Sequence, residues 1–379
     1  MIRARPVEGL PMSTVDLDLL SPYGWNSALA ADYLPLLGAD LIPARVIRMD
    51  RSECDIAAPL PTADYRSRLT AAVVRAQLPR SDAEVSGLCT GDWVAIDRGR
   101  TVRALLPRRT AIVRAAVSGQ PDARAKSAHQ VLAANVDTVL VCTAGDGDVD
   151  LGRIERLLAL AWESGAQPIV VLTKADLAHD IPIEDVRAAA PGVTVLAVSA
   201  AGGVGMDVLA ALLTGTVALI GPSGAGKSTL ANALLGAEVF ATQAVRDGDK
   251  RGRHTTVHRE LRPLPGGGTL IDTPGLRSVG LWDAATGIGR AFSDVESLAG
   301  LCRFADCAHR TEPGCAVLAA IESGELPQRR LDSFRKLSRE NDWLASRTDA
   351  RLQAERKKVW KDINKSQRRM YKERGGKQR

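Results

Sequence analysis

The spacing of hydrophobic and polar positions divides the chain into three textures. Residues 1–40 are interrupted by Pro6, Pro11, Pro22 and Pro35, no long periodicity develops, and weak structure is expected there. From about 41 to 118, short apolar or alternating runs follow one another: LIPARVIRM, YRSRLTAAVV, DWVAID, TVRALLP and AIVRAAV, separated by charged or glycine-containing turns. Five short strands in about 80 residues predict a small β-barrel, the OB type being one candidate. From 131 onward apolar runs alternate with helical spacing, the pattern of a parallel α/β sheet. Strands are predicted over 136–144, 168–177, 193–200 and 217–220, and helices over 151–164 and 206–213. Residues 324–379 read as helical.

The last of those strands runs into Gly221-Pro222-Ser223-Gly224-Ala225-Gly226-Lys227-Ser228-Thr229, after which a helical pattern begins. Strand, G-x-x-x-x-G-K-S and helix together form a P-loop. Gly224 and Gly226 let the backbone turn tightly and aim its N–H groups at phosphate oxygens. The unpaired N–H groups of the following helix favour an anion. Lys227 supplies a charge at the β/γ-phosphates and the Ser228 hydroxyl can ligand Mg²⁺. By itself this pattern does not separate GTP from ATP.

Two strand ends bear on the base. Thr173-Lys174-Ala175-Asp176 matches T/N-K-x-D, in which the aspartate accepts from two guanine N–H groups and the lysine stem lies on the ring. Ser199-Ala200, 23 residues beyond Asp176, matches the short S-A element whose backbone N–H lies near guanine O6. Adenine offers no such donor pair, and a site built to pair polar groups rejects a base that leaves them unpaired. Beyond the P-loop, Thr255 and Thr256 lie in a polar loop (246–256) and can ligand Mg²⁺ while the γ-phosphate is present. Asp272-Thr273-Pro274-Gly275 closes an apolar strand 45 residues after Lys227; Asp272 can hold Mg²⁺ through water and the Gly275 N–H can touch the γ-phosphate. The base elements precede the phosphate elements, the reverse of the usual GTPase order, as a permuted chain would have them.

Six cysteines could form three disulfides, but Cys302-x4-Cys307-x-His309-x5-Cys315 gathers three of them beside a histidine. Three thiolates and an imidazole suit one structural tetrahedral Zn²⁺. Cys54, Cys89 and Cys142 fall in or near strand-like runs and are expected in the core. The net charge of +6 is unevenly spread: residues 351–379 carry twelve Lys/Arg and three acids, a net +9, leaving −3 for the rest. Residues 97–126 carry eight Lys/Arg and two acids. Both stretches suggest a polyanionic partner; in the barrel part, where Tyr65 and Trp93 are the aromatics, phosphate contact is favoured over base reading, while the tail interleaves Trp360 and Tyr371 as an RNA-facing extension would. No apolar stretch reaches the roughly 18 residues of a spanning helix, and the N-terminus has acids and prolines where a signal peptide needs an apolar core, so a cytoplasmic location is expected.

The order TKAD, SA, GPSGAGKST, GRHTT, DTPG, followed by C-x4-C-x-H-x5-C, resembles the ribosome small-subunit-dependent GTPase family, RsgA/YjeQ. QVLAANVDTVLV and the GDWVAI…LPRRT run resemble it too, and the likeness covers roughly 40–340. The resemblance implies a multidomain α/β chain: an OB barrel (41–125), a circularly permuted GTPase domain (126–290) with helices on both faces of a parallel sheet and a small helical zinc domain (291–350); an extension (1–40) and a basic tail (351–379) flank the part it covers. It implies a monomer that binds the small subunit and its rRNA late in maturation and hydrolyses GTP to GDP faster when bound. The family lacks the usual water-positioning glutamine after D-x-x-G, where Leu276 stands here, and assigns that task to a histidine of the GRHTT stretch, which points to His254. One departure is Thr173, where asparagine is usual. Two rivals are a P-loop ATPase or small-molecule kinase, and a non-hydrolysing RNA-binding module with a structural nucleotide.

Overall fold

The computed structural model describes residues 16–50, 52–60, 71–79, 87–115, 129–240, 259–272 and 284–348. The chain opens with a 3-10 segment over Leu17–Tyr23, helix α1 (Ser27–Tyr33) and a second 3-10 segment over Leu34–Ala39. Weak structure was expected here, and residues 16–40 correct that expectation. Asp16 and Asn26 cap the first two elements, and Leu20, Tyr23, Leu29 and Tyr33 are buried. Trp25 packs edge-on to both Tyr33 and Trp93, 5.9 and 5.1 Å between ring centroids. The prolines interrupt periodicity without preventing packing, because short turns need no long repeat.

Strands β1 (Ile42–Met49), β2 (Glu53–Ala58), β3 (Ala72–Gln77), β4 (Trp93–Ile96) and β5 (Val102–Leu105) pair antiparallel in the order β3-β2-β1-β4-β5. A parallel bridge Gln77↔Thr101, with the Gln77 N–H donating to the Arg100 carbonyl at 2.9 Å, brings the end of β3 to the start of β5. Ala44, Val46, Cys54, Ile56, Ala76, Val94, Ile96 and Val102 form one buried cluster between these strands. The run AIVRAAV leaves this group: β6 (Ala111–Ala115) pairs only with β7 (His129–Ala134) among the described residues, so the hairpin straddles the expected boundary near 125. Strand β2, absent from the sequence reading, takes the place of that run.

Next come β8 (Thr138–Ala144), α2 (Leu151–Glu163), β9 (Gln167–Thr173), α3 (Ile183–Ala189), β10 (Thr194–Ala197), α4 (Met206–Leu212), β11 (Thr216–Ile220), α5 (Lys227–Leu235), β12 (Glu260–Pro263) and β13 (Thr269–Asp272). Strands β10-β9-β8-β11-β13 run parallel, and β12 adds antiparallel to β13. The sheet is apolar on both sides. In β8, Val139 and Val141 join one core cluster while Leu140 and Cys142 join the other, the alternation a strand buried on two faces requires. Helix α2 buries Ile154, Leu157, Leu158 and Ala161 at helical spacing, is capped by Asp150 and ends before Gly165 (φ 85°). Strand β12 also pairs with β1 at Arg48↔Glu260, so one sheet passes from the first strand group into the second.

The remaining helices are α6 (Ala285–Ala291), α7 (Ser293–Ala299), α8 (Ala316–Glu322) and α9 (Gln328–Thr348). They dock on α2 through a buried ion cluster. Arg330, fully buried, bonds Asp294 at 2.6 and 2.9 Å, Glu155 at 2.8 Å and the carbonyls of Ala189 and Ala291 at 3.1 Å. Glu155, also fully buried, further accepts from Arg329 at 2.8 Å. No helix among the described residues is long and apolar enough to cross a membrane.

Candidate nucleotide site and metal knot

The P-loop joins β11, flanked in the sheet by β8 and β13, to α5. Gly221 has φ 150°, and a Cβ there would stand 2.2 Å from the Cys142 carbonyl oxygen of β8, so only glycine fits. Gly226 caps α5 with φ 69°, and a Cβ there would stand 3.1 Å from Thr173 Oγ1. No side chain caps α5, so its first N–H groups face the loop. Ser223, Gly224 and Thr229 are exposed, Pro222, Lys227 and Ser228 half-buried, and Ala225 buried. The Lys227 ammonium donates to the carbonyls of Gly221 at 2.9 Å and Pro222 at 2.6 Å. Burial pulls its pKa below the ordinary lysine value, while Cys142 and Asp272 act in the opposite direction. Asp272, 3% exposed, ends β13 in register with Leu219 of β11, which sets its carboxylate beside the loop.

The base elements converge on the same edge. Thr173 ends β9, Lys174 turns the chain with φ 58°, and Asp176 is exposed in the turn that follows. Thr173 Oγ1 lies 2.9 Å from the Ala225 carbonyl and 3.2 Å from that of Thr143. Lys174 Nζ lies 3.0 Å from Asp146. Ser199 is fully buried, and its hydroxyl accepts from the Gly202 N–H at 2.8 Å, which shapes the loop carrying Ala200. The Ala175 N–H donates to the Val198 carbonyl at 3.1 Å and locks the two base elements together. Thus the structure brings TKAD, SA, the P-loop and Asp272 to one end of the parallel strands, where such sheets bind ligands. His254, Thr255, Thr256 and Gly275 lie outside the described residues, as do the basic tail and 116–126.

Cys302, Cys307, His309 and Cys315 present ligand atoms all within 4.8 Å of one another. Cys302 Sγ is 3.8 Å from Cys315 Sγ and 3.6 Å from His309 Nδ1, and Cys315 Sγ is 3.4 Å from that nitrogen. A tetrahedron with Zn–S bonds of about 2.3 Å separates its ligands by roughly 3.7 Å, so the donor set fits in both chemistry and size. Burial pushes the Cys302 thiol up, but N–H groups of Val317 and Ala316 at the start of α8 outweigh it, and its pKa falls below the ordinary value. Burial holds Cys307 up at about 11.

Sequence reasoning missed the supports of this knot. The Glu312 carboxylate accepts from the backbone of Ala308 at 3.1 Å, Arg310 at 2.6 Å and Thr311 at 3.0 Å, and Arg335 of α9 donates to the His309 carbonyl. Those N–H groups, with that of Glu312 itself, hold its carboxyl down at about 2. An acidic residue between the last two ligands was the available signal. It also missed Asp146, which stands beyond every motif. The remaining cysteines, Cys54, Cys89 and Cys142, are buried as expected.

Comparison with known proteins agrees with this geometry. The RsgA GTPase family model matches residues 105–282. Among curated proteins, the small ribosomal subunit biogenesis GTPase RsgA of Streptomyces avermitilis is 54% identical over 351 residues, 90% of this chain and 91% of the other. The protein of the same name from Opitutus terrae is 41% identical over 368 residues, 92% and 97% of the two chains. Among solved structures, YjeQ from Thermotoga maritima aligns with a TM-score of 0.56 and 22% identity over 79% of this chain and 98% of that one. YloQ, described as a circularly permuted GTPase, gives 0.54 and 22% over 82% and 96%. The solved structures share the fold, and identity of this extent to the curated proteins means that the chain belongs to the RsgA GTPase family.

Proposed function

We propose that this GTPase acts in biogenesis of the small ribosomal subunit, hydrolysing GTP to GDP and phosphate with stimulation by the 30S particle. The observation that carries the reading is the 54% identity, across nine-tenths of the chain, to a protein named for that task. Lys227, Ser228 and the backbone of 221–229 hold the phosphates. Asp176, Lys174 and the Ser199-Ala200 loop read guanine. Ser228, Asp272 and a threonine of the 255–256 pair hold Mg²⁺, which supplies charge neutralisation at the β/γ-phosphates. His254 orients the attacking water, supported by its place in the GRHTT sequence, and the Gly275 N–H meets the γ-phosphate. Cys302, Cys307, His309 and Cys315 hold one structural zinc, supported by donor chemistry and spacing.

The strands of 41–105 form an OB-type barrel, supported by the order β3-β2-β1-β4-β5 and the Gln77↔Thr101 bridge. The domain limits proposed are 1–40, 41–125, 126–290, 291–350 and 351–379, with the β6–β7 hairpin bridging the second and third. The barrel and the tail contact rRNA phosphates, and the protein works as a cytoplasmic monomer, supported by charge placement and the ribosomal task.

The test is GTP hydrolysis with purified small subunits, with large subunits and with neither, for the wild type and His254→Ala. Stimulation by small subunits alone, lost in the variant while GTP binding persists, is the expected result. Equal rates in all three conditions overturn the ribosomal reading, and equal turnover of ATP and GTP overturns the guanine reading.

A further inference from the structure

Lys174 carries a flexible four-carbon stem, and laying that stem along a base requires one rotamer out of many. A long side chain ordered only on binding weakens affinity by the entropy it loses. In this structure the stem is already fixed: Lys174 Nζ meets Asp146 Oδ2 at 3.0 Å, with the two side chains only 30% and 28% accessible.

Asp146 is itself fixed. It follows β8 by two residues, and the preceding Gly145 N–H donates to the Thr173 carbonyl at 2.8 Å, extending the pairing of Ala144 with Thr173 by one residue. The same Thr173 places its hydroxyl against the Ala225 carbonyl of the P-loop. Asp146 thus stands on the frame that aligns the base elements with the phosphate loop, although it belongs to neither motif.

We propose that Asp146 is a positioning residue for the nucleobase, holding Lys174 in the rotamer that stacks on guanine. The inference rests on the guanine reading of Thr173–Asp176 and adds a residue outside that motif. Among the described residues Asp146 meets Lys174 and no residue of the P-loop, so it acts alike on GTP and GDP and leaves their affinity ratio unchanged. Its effect runs through Lys174, so it disappears when the lysine is removed.

The experiment is a double-mutant cycle read by fluorescent mant-GDP and mant-GTP binding to the full chain: wild type, Asp146→Ala, Lys174→Ala and both together. Asp146→Ala is expected to raise both dissociation constants by the same factor, about 3- to 10-fold, the range one immobilised side chain supplies. KM for GTP rises in step while kcat at saturation holds, and the melting temperature of the nucleotide-free protein stays put. Asp146→Asn, which keeps an acceptor oxygen, stays within about twofold of the wild type. The double variant binds no worse than Lys174→Ala alone. Unchanged affinities in Asp146→Ala, multiplying single effects, or a loss confined to GTP overturn the proposal. Mant-ADP is run beside them: wild-type binding as tight as that of mant-GDP removes the guanine reading, while the cycle repeated with mant-ADP still decides whether Asp146 acts through Lys174.

Discussion

Thr173 Oγ1 and the Ala225 carbonyl oxygen are 2.9 Å apart, a direct contact between the strand end that begins the base motif and the middle of the phosphate loop. Family resemblance places asparagine where Thr173 stands. The hydroxyl meets two carbonyls, those of Ala225 and Thr143, and the one proton it donates goes to the nearer. Thr173→Val keeps the shape and removes the donor, leaving a buried carbonyl without it, at a cost of about 1–3 kcal/mol. GTP and GDP affinities should fall together, and Thr173→Ser should restore them. Calorimetric titration of both nucleotides checks this; a loss for one nucleotide only would refute it.

Gly221 admits no side chain. A Cβ would stand 2.2 Å from the Cys142 carbonyl oxygen, backbone that cannot yield as a side chain would. Gly221→Ala should abolish nucleotide binding and lower the melting temperature, whereas Gly224→Ala, with no atom within 4 Å of its Cβ, should weaken binding with a smaller loss of stability. Both have positive φ, so a backbone penalty of order 1–3 kcal/mol applies to each, and the steric clash makes the drop in melting temperature larger for Gly221→Ala than for Gly224→Ala. Thermal unfolding of the two variants tests the ordering.

Arg330 answers Glu155 and Asp294 at the joint between α2 and the C-terminal helices. Arg330→Met leaves fully buried Glu155 with only Arg329 and Ser333 as side-chain partners and should cost up to about 3–5 kcal/mol. Pairing it with Glu155→Leu should recover part of that loss. Urea unfolding of the single and double variants measures both, and equal destabilisation in each would count against the account.

Cys54 and Cys142 are both pushed by burial from the ordinary thiol value of 9.0 to about 12. The folded state therefore prefers the protonated thiol. Stability from this source is complete below pH 9 and is lost as pH rises from about 9 toward about 12, at most on the order of 1 kcal/mol per thiol per pH unit. Replacing Cys142 with Ala should flatten the alkaline limb of the urea midpoint against pH. An unchanged limb would mean that burial of this thiol does not govern it.

Zinc removal should unravel the knot around Cys302. Metal and protons compete for the same thiols, so chelator sensitivity should increase as pH falls. Metal analysis should find one zinc per chain, lost in Cys307→Ser, with a lower melting temperature. A melting curve indifferent to chelator would exclude a structural metal.

Local chemistry made the site legible. The P-loop, TKAD and the cysteine spacing each depend on neighbours within a few residues; the structure brings Thr173 against the P-loop and, separately, gathers the four Cys/His donor atoms within 4.8 Å of one another. What stayed illegible depends on distant partners. Leu20 and Tyr23 are buried although their surroundings lack periodicity, and the Tyr23 carbonyl accepts from buried Arg45 of β1. AIVRAAV has the alternation of a barrel strand, yet β7 claims it; nothing in its own residues distinguishes one partner from another. Strand β2 reads ECDIAA, too short and too mixed to stand out. Arg330 and Glu155 look like solvated charges in sequence and meet only because α9 crosses α2.

The sheet order also has a consequence for how the polypeptide matures. Strands β8, β9 and β10 are complete once residue 197 has been made, but β8 borders β11, which ends at residue 220. Until then one side of β8 presents unpaired backbone groups, a template for association with other chains. Strand β11, which carries the phosphate loop, thus inserts as the keystone of a half-built sheet, and a nascent chain halted near residue 215 would be a sticky one.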